Sequence, residues 1–425
     1  MISIFIIQFI FIYSNIQLKF KRNLLKDLTP ENIIPNIIIN NMNIILKIGK
    51  PQQEIPVTIK LQHYPFYIIS NQTKEKKLKI LFNEKLSSSF KILKHYDCYY
   101  IEDEIFVTDL STENMQFENI NLNNFSFFLV TELNNVKEVY ETGSIGLKID
   151  YEQYIIYEGI NFIKLLKQNN IINSYTFSLN FDKNDNGEFI IGDLPHEYNK
   201  KYKKEDFAYC KALNIGRGSQ WVFNFEQIKY NNYNGTEDQN FWLYPELGVI
   251  ISSSYFRDYL IETHFKDYIS KNICYQKKYK NEIEYTEYYY IYCSNNLNIE
   301  IFSKLFLYHR ELNYTFEIDL KDLFYTLNDM KYFLIIFPVQ HSYNWKLGLP
   351  FFKKYTLYFD SDRKIIGIYK NIHKYYFNFT VLFIVILITI IIGMGIFIYY
   401  ILTKKIRKKR ANELIDYYEY IPQNN

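Results

Sequence analysis

Cysteine, histidine and asparagine supply the reactive positions that stand out in this 425-residue chain. The four cysteines are Cys98, Cys210, Cys274 and Cys293. Cys274 and Cys293 are expected to form a disulfide, which would stabilise by about 3 kcal/mol through loop entropy. Cys98 and Cys210 are open to either pairing or free thiols. His63 has no serine or cysteine nucleophile placed beside it by any motif, so it reads as a packed or solvated residue rather than a base. Asn71, Asn124, Asn234, Asn313 and Asn378 each open an Asn-x-Ser/Thr triplet, the acceptor pattern for N-glycosylation. No spacing of ligating residues calls for a metal, and nothing calls for a cofactor. Acids and bases are interleaved to a net charge of +3. That balance argues against a nucleic-acid surface.

Two apolar segments set where these residues work. Ile2 to Tyr13 is an apolar run of signal-peptide length, followed by the more polar Ser14 and Asn15. A signal peptide is expected over 1–17, with an uncleaved anchor as the alternative. The second segment, 376–402, contains roughly 20 near-continuous apolar residues from Val381 onward, enough to cross a bilayer. Lys404, Lys405, Arg407, Lys408, Lys409 and Arg410 follow directly and place the tail, 403–425, in the cytosol. The expectation is a single-pass type I membrane protein of the secretory or endosomal pathway or the cell surface. All four cysteines and all five sequons then lie on the exported side. In the tail, Tyr418-Glu-Tyr-Ile421 has the tyrosine-x-x-hydrophobic form read by endocytic adaptors, a pattern that chance supplies readily in a tyrosine-rich chain.

Between these segments the chain reads as many short strands. Asn43–Ile48, Thr176–Phe181 and Tyr355–Phe359 alternate or are rich in β-branched and aromatic residues. Turn clusters such as 182–187, 231–235 and 360–362 separate them. Helical patterns are few, at 160–170 and 254–265. The class is all-β.

Several motifs resemble the pepsin-like (A1) aspartic peptidases, in the right order. Ile48-Gly-Lys-Pro-Gln-Gln-Glu-Ile-Pro-Val57 resembles the strand leading into the first active-site loop. Thr142-Gly-Ser-Ile-Gly-Leu147 is similar to Asp-Gly-Ile-Leu-Gly-Leu. Phe177-Ser-Leu-Asn-Phe181 with Gly187–Asp193 resembles the hairpin that ends the first lobe, and Trp221–Ile228 the strand that opens the second. Trp345–Asp360 with Ile365-Ile-Gly-Ile368 resembles the closing stretch. The resemblance implies a bilobal fold, with a short prosegment-like stretch over 18–40 and lobes over 41–202 and 203–372.

It also implies two Asp-Thr-Gly loops whose carboxylates share a proton across a water. Neither triplet is present. The first motif, continued without a gap, puts Lys60, Leu61, Gln62 and His63 in the first loop. The best fit for the second is Glu246, Leu247, Gly248 and Val249. The expectation is a Lys60–Glu246 ion pair in place of the dyad, with Leu61 and Leu247 meeting where bracing threonines would stand. Tyr96 is the flap-like tyrosine, without a glycine-rich turn. The implied function is a membrane-anchored, catalytically inactive ectodomain that binds a peptide or protein. The alternatives are an active aspartic endopeptidase and an unrelated β-rich surface or adhesion protein.

Overall fold

A computed structural model describes residues 15–22, 33–38, 42–370 and 379–419. Within 42–370 it leaves out 63–64, 74–79, 102–103, 119, 135–140, 150–160, 183–184, 201, 216–217, 236–238 and 281–285. The signal run, His63, Asn378 and the end of the tail motif lie outside the described residues.

Alternation fixes the first strand. Ile16, Leu18 and Phe20 are buried while Gln17, Lys19 and Lys21 face out, giving β1 (Asn15–Arg22). The strand begins inside the stretch read as signal, because its period of two suits a sheet better than a helix. β1 lies between β2 (Met42–Ile48) and β10 (Gly187–Gly192), pairing with β10 from Asn15↔Gly192 to Phe20↔Gly187. The start of the 18–40 stretch, Leu18–Arg22, is therefore built into the sheet.

The first half of the chain supplies most of a 13-stranded sheet. Its centre contains β2, β3 (Gln53–Lys60), β8 (Gly143–Gly146) and β4 (Phe66–Ile69), followed by β7 (Ile120–Asn134), β6 (Glu104–Phe117) and β5 (Lys91–Ile101). β9 (Thr176–Phe181), Tyr358–Asp360, Ile365–Tyr369 and Phe207–Lys211 extend the other side beyond β10. Residues from the end of the chain thus complete the sheet begun by its start.

The second half forms a nine-stranded sheet through Gln239–Leu243, Trp345–Leu347, Ile250–Ile251 and Ile335–Pro338, and a four-stranded sheet beside it. The expected helices appear at Phe162–Gln168 and from Ser254 into a π-turn ending at Phe265. Trp221, fully buried, donates its indole N–H to the Leu147 carbonyl at 2.8 Å, joining second half to first. Phe359 stacks on Phe177 at 4.9 Å and meets Trp221 edge-on at 5.0 Å, sealing the same junction.

Residues 371–425 form a separate unit. A helix runs from Phe379 to Glu419, and Ile388–Arg410 is long and apolar enough to cross a membrane. The basic cluster continues this helix rather than starting a separate tail.

Cys274 and Cys293 face each other on adjacent antiparallel strands, Cα atoms 4.0 Å apart, and are disulfide-bonded. Cys210 is a buried free thiol, which removes the option of a Cys98–Cys210 bridge; burial pushes its pKa up to about 12. Replacing Cys274 and Cys293 together with alanine should cost about 3 kcal/mol, read as a lower Tm under non-reducing conditions; an unchanged Tm would show that the bridge does not constrain the fold.

Candidate functional site

β3 runs parallel to β8 in the register Thr58↔Ser144, Ile59↔Ile145, Lys60↔Gly146. Lys60 is the last residue of its strand, opposite Gly146, and its side chain extends to Glu141 ahead of β8. There Lys60 Nζ lies 2.8 Å from Glu141 Oε1, and the Tyr67 hydroxyl donates to the same oxygen. The Lys60 side chain is 19% exposed and that of Glu141 10%, so the ion pair is largely shielded from water. Such a pair is held because removing either partner strands the other charge.

The expected Lys60–Glu246 ion pair is therefore replaced by Lys60–Glu141. Glu141 stands one residue ahead of the Thr142-Gly-Ser motif and precedes β8, so the long Lys60 side chain reaches back along the parallel strands to meet it. Tyr67 belongs to a small apolar cluster with Phe106 and Phe128, against which Tyr96 of the β5–β6 hairpin packs at 5.9 Å. The flap-like tyrosine thus reaches the cluster that carries Glu141's hydrogen-bond donor.

Sheet register identifies the counterpart of Lys60 in the second half. Tyr67 crosses antiparallel to Ser144, and Ile251 crosses in the same way to Lys346. Lys60 precedes Tyr67 by the same seven positions that separate Tyr244 from Ile251. Leu243 pairs in parallel with Leu347, and Tyr244 N–H donates to the Leu347 carbonyl at 2.9 Å. The register match is Tyr244, whose ring lies 5.0 Å from Lys346 Nζ. Glu246, two residues further on, matches Gln62.

Gln62 and Glu246 are satisfied differently, although Gln62 Oε1, like the Glu246 carboxylate, is buried without a hydrogen-bond partner among the described residues. The Gln62 side-chain amide donates to the carbonyls of Trp221 at 2.8 Å and Leu243 at 2.9 Å, both in the second half. Both carboxylate oxygens of Glu246 are buried without a hydrogen-bond partner among the described residues. Burial lifts the Glu246 pKa to about 7, against the lowering influence of its own backbone N–H, the Lys60 charge, the Leu61 N–H and the Lys346 charge.

The two leucines expected to brace the loops occupy different places. Leu61 is fully buried in the main core, whereas Leu247 packs against a second cluster built on α1 (Ile33–Ile38). A polar side chain at Gln62 reaches carbonyls that leucine cannot, so the bridge between halves is polar. α1 was not foreseen: Ile33, Ile34, Ile37 and Ile38 pack with Val249, Ile251, Tyr288, Tyr332 and Ile336. Gly248 N–H donates to the Ile38 carbonyl at 3.0 Å. A Cβ on Gly248 would stand 1.9 Å from the Ile37 carbonyl oxygen, so glycine is required for this approach.

A cavity of about 570 Å³ lies beside α1, walled by Arg22, Asn36, Gly248, Asp322, Tyr325 and Lys353 among others. Lys60 and Glu141 do not line it. Among the described residues no cluster suits a metal ion. Asn71, Asn124, Asn234 and Asn313 are all exposed.

With this geometry in place, the comparisons identify the class. The family model for eukaryotic aspartyl proteases matches residues 43–371, and the chain belongs to that family. No curated protein matches the chain.

Gln62→Leu should remove both bonds across the halves, taking the amide donor from the Leu243 carbonyl while the Trp221 carbonyl keeps the Leu243 N–H, at a cost of about 1–3 kcal/mol. Chemical denaturation checks this; a loss below about 0.5 kcal/mol would mean that water or a neighbour replaces the amide.

Proposed function

We propose that this is a catalytically silent, membrane-anchored pepsin-fold protein whose ectodomain binds a peptide or protein. The observation that carries the reading is the pair of register-matched strand ends, Lys60 and Tyr244, neither of which is a carboxylate. Hydrolysis in this family's manner needs two carboxylates holding one water and one proton between them. A protonated lysine tied to Glu141 has no lone pair to take a proton from water. Tyr244 supplies a phenol where the second carboxylate would be needed. Of the nearby acids, Glu141 is occupied by Lys60 and Tyr67, while Glu246 is buried on the loop that carries α1.

The alternative, an active aspartic endopeptidase, would have to use Glu141 and Glu246 as an altered pair. Peptide-library cleavage at acid pH distinguishes the two. The purified protein should show no cleavage above background, and Lys60→Asp alone should not restore any, because position 244 would still lack an acid. Hydrolysis blocked by a pepstatin-type inhibitor would establish the alternative.

The reading extends to topology. The N-terminal apolar run acts as a signal peptide, the ectodomain is exported and glycosylated, and the 388–410 helix spans the membrane with its basic end in the cytosol. Exposure of the four described sequon asparagines supports this, as does a disulfide, which persists in oxidising compartments. Protease added outside intact cells or sealed right-side-out vesicles should remove the ectodomain and leave the span with its tail; a protected ectodomain would reverse the orientation.

A further inference from the structure

α1 is attached to the second half through a loop that contains a buried acid. Pro245 to Val249 passes under the helix, Gly248 bonds its last carbonyl, and Leu247 and Val249 pack on its isoleucines. Within that loop both oxygens of Glu246 are buried with no side-chain partner among the described residues, the Glu246 and Leu61 backbone N–H groups being the only donors near them. α1 itself offers no charge to meet it, since its sequence is Ile-Ile-Pro-Asn-Ile-Ile.

The charged groups around the loop are committed elsewhere. On β3, Lys60 is engaged by Glu141. On the 345–347 strand, Lys346 stands over the Tyr244 ring. Arg22 at the end of β1 reaches toward Gly248 but is bound to Asp185, as is Lys353. Among the described residues an ionised Glu246 would therefore have two backbone N–H groups and the distant charges of Lys60 and Lys346, with no carboxylate–cation contact to offset its burial. The neutral acid fits the packed loop and the anion does not.

We propose that Glu246 is a pH-sensitive latch on α1: protonated, it lets the loop stay packed and the helix docked; ionised as pH rises, it loosens the loop and uncovers the apolar surface of Val249, Ile251, Tyr288, Tyr332 and Ile336. The direction follows from linkage. The docked form holds the Glu246 proton up to about pH 7, whereas a solvated glutamate releases it near the ordinary 4.5. Docking is most favoured below that ordinary value, weakens progressively as pH rises to about 7, and levels off once both forms are ionised. The docked-to-undocked ratio falls by about a hundredfold across that window. The latch operates whether or not the uncovered surface receives a ligand.

Hydrogen exchange on the full-length protein in detergent, corrected for intrinsic rates, reads this directly. Protection of residues 33–38 should fall with rising pH and level off near pH 7, while the β3 amides stay protected. Glu246→Gln should keep α1 protected throughout. Lys346→Met removes a charge that favours the ionised acid and should move the transition to higher pH, which provides a test even if the glutamine variant fails to fold. The proposal is overturned by uniform protection of 33–38 at every pH, by simultaneous loss of protection in β3, by persistence of the transition in Glu246→Gln, or by an unmoved transition in Lys346→Met.

Discussion

A positive charge at the end of β3 must be neutralised, and much of the site's arrangement follows from that constraint. Lys60 sits where two parallel strands end, largely away from water. An unpaired ammonium there would be costly. Glu141 meets it from the segment that leads into the neighbouring strand, and Tyr67 satisfies the same carboxylate from the strand beyond. Charge balance is thereby achieved inside the first half of the chain. The second half is released from supplying a counter-charge, so its matching strand can end on Tyr244.

The link between halves is made by other groups. Gln62 reaches two carbonyls of the second half, and the Trp221 indole reaches one of the first. These bonds hold the facing loops together without any carboxylate pair. The Glu246 loop is consequently free to serve α1, and a helix docked there covers a surface on the second half. A lysine at the end of β3 is thus compatible with this family's fold, its charge being met within the first half.

The fold was largely legible because strand period, turn residues and the spacing from Trp345 through Asp360 are local signals. Cys274 and Cys293 were legible as well, lying on the two strands of one hairpin. The first loop could be placed because the motif before Lys60 runs on without a gap. The second could not, because Tyr-Pro-Glu-Leu-Gly contains an acid and a glycine that imitate the family tripeptide two residues out of register. Only the pairing of Leu243 with Leu347 resolves it. Glu141 is not legible in the sequence because an ion pair between neighbouring strands depends on sheet order and side-chain reach, which no sequence spacing records. α1 escaped notice because six residues with a proline at the third position carry too little periodicity to announce a helix.

The account rests on Lys60 being neutralised by Glu141, and a double-mutant cycle on unfolding free energy measures that coupling directly. Lys60→Met, Glu141→Gln and the double variant should give a coupling energy of about 1–3 kcal/mol, and the corresponding cycle between Lys60 and Glu246 a smaller one. Additive effects for Lys60 and Glu141, with strong coupling between Lys60 and Glu246, would contradict the account.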